Sequence, residues 1–96
     1  MLKIYKHNKA EQDLIEIWIY SFEKWGPNQA DDYLDQLNVA LNNIASNPEI
    51  GINIDTIRLG YFKYQINKHM VFYQINKSTI NIIRVLSNDM DYVQHL

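Results

Sequence analysis

The side chains of this sequence best suited to chemistry are three histidines (His7, His69, His95), two arginines (Arg58, Arg84) and the acidic pair Asp89 and Asp91. The histidines lie far apart, without the close spacing that metal ligands on one element show, so no metal site is expected. His69 falls just after a predicted turn, where an imidazole bonded to backbone or to Tyr73 accounts for it. The chain has no cysteine, which removes both disulfides and thiolate zinc sites. Ser21, Ser46, Ser78 and Ser87 sit in no nucleophile-elbow context, and no glycine-rich phosphate loop exists. Asp89 and Asp91 could exchange protons with a substrate, but carboxylates in the first turn of a short helix explain them more simply. The residues thus predict no catalytic group of their own and no cofactor. The larger signal is apolar.

The elements that position these residues follow from periodicity. Leu2–Lys6 alternates as a short strand. Leu14, Trp18, Ser21/Phe22 and Trp25 recur at spacings of three and four, predicting a helix over 10–25 with one apolar face. Gly26 suits the left-handed residue that ends a helix, and Pro27 suits the first turn of the next. Asp31 and Asp32 fall early in that second helix, where its dipole favours negative charge. Ala30, Tyr33, Leu34, Leu37, Ala40, Leu41 and Ile44 form its stripe, and Asn47-Pro48 stops it. With so short a connection the helices form an antiparallel hairpin. Residues 48–55 read as a loop, and the tail from Asn88 reads as a short closing helix with Asn88 as N-cap.

The three strands between loop and tail can be placed in register. A two-residue turn at Asn67-Lys68 puts Ile66 opposite His69, Tyr64 opposite Val71 and Phe62 opposite Tyr73. A second at Lys77-Ser78 puts Ile75 opposite Ile80, Tyr73 opposite Ile82 and Val71 opposite Arg84. The core face is then Phe62, Tyr64, Ile66, Val71, Tyr73, Ile75, Ile80, Ile82 and Leu86. Arg84 is the one charge on that face, and it needs a helix carboxylate such as Asp13 or Glu16. The reverse face carries Lys63, Met70, Phe72, Ile83 and Val85 among polar residues. Either the tail covers it with Val93 and Leu96, or a partner segment does. A charge at Phe72 tests the second reading.

Composition sets the limits. The 96 residues suit one domain, 1–96, able to bury about 65% of its extended-chain surface. A hydrophobic fraction of 47% with three Gly and two Pro excludes a disordered tail. No apolar run approaches the ~20 residues of a membrane span, and Met1–Lys6 is too short and charged for a signal peptide, so a cytoplasmic chain is expected. Residues 1–56 hold four Lys against nine Asp/Glu, net −5, whereas residues 57–96 hold five Lys/Arg against two Asp, net +3. This mild basic half suits an acidic protein partner better than a nucleic acid.

The ordered set of motifs resembles the RelE/ParE superfamily of toxins, most closely its ParE branch. It consists of Asp13-Leu14 with Ile17 and Tyr20, Trp25-Gly26-Pro27 with Gln29-Ala30 and Tyr33, Asn47-Pro48 with Gly51, Gly60, His69–Tyr73, Ile82–Leu86, and Met90-Asp91 with His95-Leu96. The resemblance implies an α+β fold, β-α-α-β-β-β, in which an antiparallel helical hairpin packs on an antiparallel sheet and a short helix closes the chain. It implies a plasmid-stabilising type II toxin that inhibits DNA gyrase, is not itself an enzyme and is neutralised by a ParD-like antitoxin. Lys63, Met70, Phe72, Ile83 and Val85 are the expected antitoxin contacts, and Met90, Asp91, Tyr92 and His95 the expected gyrase-directed segment. The RelE branch instead cleaves mRNA on the ribosome with a basic cluster. Here that reading would use Arg58, Lys63, His69 and Tyr92, but Gln65, Met70 and Asp89 stand where the cluster has further cations. Phosphoryl transfer needs positive charge where the transition state gathers negative charge, so the nuclease reading is the weaker.

Overall fold

A computed structural model describes residues 1–96. The elements are β1 (Lys3–Lys6), α1 (Asn8–Trp25), α2 (Pro27–Ser46), a 3₁₀ turn (Pro48–Ile50), β2 (Ile52–Asn53), β3 (Tyr61–Ile66), β4 (His69–Asn76), β5 (Thr79–Ser87) and a second 3₁₀ turn (Tyr92–His95). The strands make one sheet in the order β1-β5-β4-β3-β2. Strands β3 to β5 are antiparallel, as two-residue turns require. β1 runs parallel to β5, so the sheet is mixed rather than wholly antiparallel. Within the segment expected to be loop, β2 adds a two-residue edge to β3. No helix is long and apolar enough to cross a membrane.

Both helices form where the periodicity places them, joined at Gly26. Its φ of +91° is one that glycine adopts without strain, but its ψ of 175° is extended, not left-handed helical. Pro27 is the reason, because a proline bars the helical region to the residue before it. Asp31 lies beyond the first turn of α2 and accepts a hydrogen bond from Trp18 Nε1 at 2.9 Å, tying the helices together. The stripe on α2 is the expected one. On α1 the buried face is Ala10, Asp13, Leu14 and Ser21 with Ile17 beside them, while Phe22 and Trp25 are exposed. The helix is therefore rotated from the expected orientation, and two polar residues lie on its inner side.

The hairpin registers hold as far as Tyr73 opposite Ile82. A β-bulge between Phe72 and Tyr73 then slips the pairing, so that Phe72 meets Arg84 and Val71 meets Val85. A one-residue slip exchanges the faces of everything beyond it. Val85 accordingly enters the main core, and Leu86, expected there, joins Ile54 and Phe72 on the reverse side.

Asp13 closes the sheet at this bulge. β1 pairs with β5 only as far as Ile82, leaving β5 without a strand neighbour on that side. Asp13 Oδ2 accepts the Val85 backbone N–H at 3.0 Å, and the two carboxylate oxygens take Arg84 Nε and Nη2 at 2.7 and 2.8 Å. That hydrogen bonding holds the Arg84 pKa above its ordinary value. At the other end of the sheet, Tyr33 on α2 meets His69 Nδ1 at 2.6 Å. Burial lowers the His69 pKa, against the opposing charge of Asp13, and raises that of Tyr33. Both shifts favour the neutral forms of the pair.

Two outcomes follow from these contacts. Asp13→Ala leaves a buried guanidinium and a strand N–H without partners and is expected to cost about 3 kcal/mol in urea unfolding. Asp13→Asn, which retains an acceptor, should cost less. His69, with its folded pKa depressed, contributes stability that is complete above the unfolded value of about 6.5 and declines as pH falls through the folded value. The urea midpoint should drop between about pH 7.5 and about pH 5.5, and His69→Gln should flatten that drop.

Candidate functional site

The reverse face of the sheet is covered by the chain's own tail. Phe72 is wholly buried, with Ile54 and Leu86 beside it and Tyr61, Met70, Tyr92 and Leu96 packed around them. The Tyr92 ring lies 5.0 Å from that of Phe72, and Lys63 Nζ stands 5.3 Å from the Tyr92 centroid. Of the five residues expected to meet a partner there, Lys63, Met70 and Ile83 are half-buried and reachable at the rim. Phe72 is the floor under the tail, and Val85 faces the helices. A carboxylate at Phe72 would replace the floor of this cluster, with only the half-buried Lys63 across the strand pair to answer it, so Phe72→Glu perturbs the fold and does not isolate capture of a partner.

The tail closes in a short helix of 3₁₀ type, Tyr92–His95, and Asn88 lies ahead of it and does not cap it. The Asn88 backbone N–H bonds the Lys68 carbonyl at 2.9 Å and its side chain donates to the Asn67 carbonyl at 3.1 Å, fastening the end of β5 to the β3–β4 turn. Arg58 Nη1 donates to the Leu96 backbone oxygen at 2.7 Å, and Arg84 Nη1 reaches the His95 carbonyl at 3.4 Å. Two cations thus hold the last residues. Met90, Asp91 and His95 are exposed, while Tyr92 is half-buried.

The four residues of the nuclease reading divide between two faces. Lys63 and Tyr92 meet on the reverse face, and Arg58 holds the adjoining Leu96. His69 belongs to the helix side, bonded to Tyr33. A strained or acidic site for proton transfer does not form around Lys63, whose cation rests on an aromatic ring.

A second surface lies on the helical hairpin. Ile15, Ile19 and Phe22 are exposed at i, i+4 and i+7 on α1, and Trp18 stacks on Phe22 with ring centroids 5.2 Å apart. A recess beside them is lined by Leu14, Ile15, Trp18 and Leu34, with Lys6, Glu11 and Asn38 at its polar side. Glu11, Glu16 and Glu23 on α1 and Asp31 and Asp35 on α2 supply negative charge to the same hairpin. Sequence periodicity could have found this stripe, because α1 is apolar over more of its circumference than one buried face needs. The pattern alone does not say which part of that circumference faces the sheet. Exposed apolar stripes of this kind commonly mark interaction surfaces.

Comparison with known proteins agrees with this fold. A family model described as the ParE toxin of the type II toxin–antitoxin system parDE matches residues 4–92. Toxin ParE1 of Mycobacterium tuberculosis is 40% identical over 88 residues, covering 91% of this chain and 90% of the relative. Toxin ParE1 of Caulobacter vibrioides is 38% identical over 88 residues, covering 92% and 91%. Among solved structures, one of the chromosomal ParDE system of P. aeruginosa superposes with a TM-score of 0.79 at 16% identity, over 91% of this chain and 96% of that one. The RelBE2 toxin–antitoxin complex of Mycobacterium tuberculosis gives 0.62 at 19% identity, over 91% and 98%. With the family model spanning nearly all of the sheet and hairpin, the chain belongs to the ParE toxin family of type II toxin–antitoxin systems.

Proposed function

We propose that this toxin acts by inhibiting DNA gyrase in the cytoplasm, without catalysis of its own, and is silenced by a ParD-like antitoxin. The observation that carries the non-catalytic reading is the reverse face. Its Lys63 cation is stacked on Tyr92, and Gln65 and Met70 occupy neighbouring strand positions. Such a surface offers one lysine to a phosphoryl transition state that needs several charges. Met90, Asp91, Tyr92 and His95 form the gyrase-directed segment, which the two arginines hold against the sheet.

The antitoxin contacts the rim residues Lys63, Met70 and Ile83 and lays a basic amphipathic helix along Ile15, Trp18, Ile19 and Phe22. The acidic residues of the hairpin favour that charge, and the spacing of the apolar residues favours a helix.

Ile19→Glu should weaken antitoxin binding at least tenfold by calorimetry, or about 1.4 kcal/mol, with an unchanged melting temperature. Wild-type affinity in that variant would remove the hairpin from the interface. Purified toxin should stop gyrase supercoiling and leave mRNA intact on translating ribosomes. Cleaved mRNA with normal supercoiling reverses the choice of target.

A further inference from the structure

The chain beyond Asn88 is attached to the sheet differently from everything before it. Asn88 itself is pinned, its backbone N–H on the Lys68 carbonyl at 2.9 Å and its side-chain amide on the Asn67 carbonyl at 3.1 Å. From Asp89 onward the backbone bonds only along itself, the Met90 N–H to the Ser87 carbonyl at 3.1 Å and the Gln94 N–H to that of Asp91 at 3.2 Å. No residue of 89–96 is fully buried, and only Tyr92 and Leu96 are half-buried. Those two side chains lie on a floor of Ile54, Phe72 and Leu86, which are 5%, 0% and 2% exposed.

Lifting this segment breaks little. Arg84 gives up a 3.4 Å bond to the His95 carbonyl and keeps both bonds to Asp13. Arg58 gives up Leu96 and keeps the Tyr61 ring, whose centroid is 5.6 Å from its guanidinium. Lys63 exchanges the Tyr92 ring for water. No buried charge is stranded, and no strand N–H loses its partner. What is lost is the apolar contact of two side chains, so the segment belongs to the weakly held end of the fold, where local opening precedes global unfolding. Met70 borders the floor beside Tyr61, and a methionine repacks readily when its neighbours leave.

We infer that residues 89–96 are a strap that opens about Asn88 while sheet and hairpin stay folded, and that the open form is the one the toxin's target meets. Closed, the strap turns the Tyr92 ring onto Phe72, 5.0 Å away, and Leu96 onto the same floor. Open, it offers both side chains and uncovers an apolar patch on the sheet. Tyr92 is the member of the proposed target-directed segment that the closed form hides, since Met90, Asp91 and His95 are already exposed. The two arginines are then a latch that sets the open fraction. The inference rests on the tail being that segment, but not on the target being gyrase.

The sequence has no cysteine, so a single thiol in the full chain can report on either face of β5. Leu86→Cys lies under the strap and Ile82→Cys under the helices. A thiol reagent in native buffer should label Leu86→Cys about tenfold faster than Ile82→Cys, at a rate that low urea hardly changes, because strap opening exposes little surface. Ile54→Cys, elsewhere on the same floor, should follow Leu86→Cys. Adding Arg58→Met should raise the floor rates about threefold and leave Ile82→Cys unchanged. Equal rates on both faces with one urea dependence mean that the floor is reached only by global unfolding, which overturns the strap. In the cysteine-free chain induced without antitoxin, Arg58→Met should arrest growth at a lower expressed level than wild type. Faster labelling with weaker toxicity makes the closed tail the active form and overturns the assignment, as does an inert wild type. Toxicity that rises with strap opening while purified gyrase is unaffected supports the strap and rejects gyrase as the target.

Discussion

The carboxylate of Asp13 is the contact on which the arrangement of this toxin turns. It supplies the hydrogen-bond acceptor that a neighbouring strand would give to Val85, and it neutralises Arg84 with a two-point pair. Both jobs arise from the same event, the slip of β5 at the bulge, which leaves a backbone donor and a cation on an edge that β1 does not reach. Satisfying them fixes the rotation of α1. With Asp13, Leu14 and Ser21 turned inward, the large apolar residues Ile15, Ile19 and Phe22 have nowhere to go but outward. The outer stripe of the hairpin is thus a consequence of an ion pair on its inner side. The other end of the same arginine reaches the His95 carbonyl, so the position of the tail depends on it as well.

How far the sequence could be read depended on how local the governing physics was. The turns at Asn67 and Lys77 were legible because each is a two-residue connection between alternating segments, and both residues adopt positive φ, 51° and 40°. The register up to Tyr73 followed from those turns alone. The bulge did not, since Ile82-Ile83-Arg84-Val85-Leu86 carries apolar residues on both sides of the strand and either phase buries enough of them. One residue of slip was enough to exchange Val85 and Leu86. The partner of Arg84 was still legible, because a cation close to a core needs a carboxylate whichever face it leaves from.

The candidate site was less legible for a different reason. An apolar reverse face is equally satisfied by the chain's tail or by a foreign segment, and the pattern Met70, Phe72 contains nothing that separates the two. The tail wins at Phe72 through Tyr92 and Leu96, residues too few to show a period of their own. Of the five expected contacts, Lys63, Met70 and Ile83 remain reachable at the rim. The parallel pairing of β1 and the two-residue β2 were beyond pattern arguments for the same cause: elements this short are set by what they lie against, not by their own sequence.

Fold membership leaves the chemistry of this family member to be argued from its surfaces, because a superfamily sheet can carry either a nuclease cluster or a docking face. The distribution of charge is the useful guide here. The first 56 residues are net −5 and the last 40 net +3, and most of the acidic charge lies on the helical hairpin, on one side of the sheet. A partner covering both, as an antitoxin reaching from the hairpin stripe to the Lys63 rim would, has to change its own charge along its length. Two partners of opposite character need no such reversal, and each would be steered to its own surface and away from the other's. On that reasoning a segment lying on the acid-flanked stripe would be basic, and one meeting Lys63 at the rim of the reverse face would be acidic.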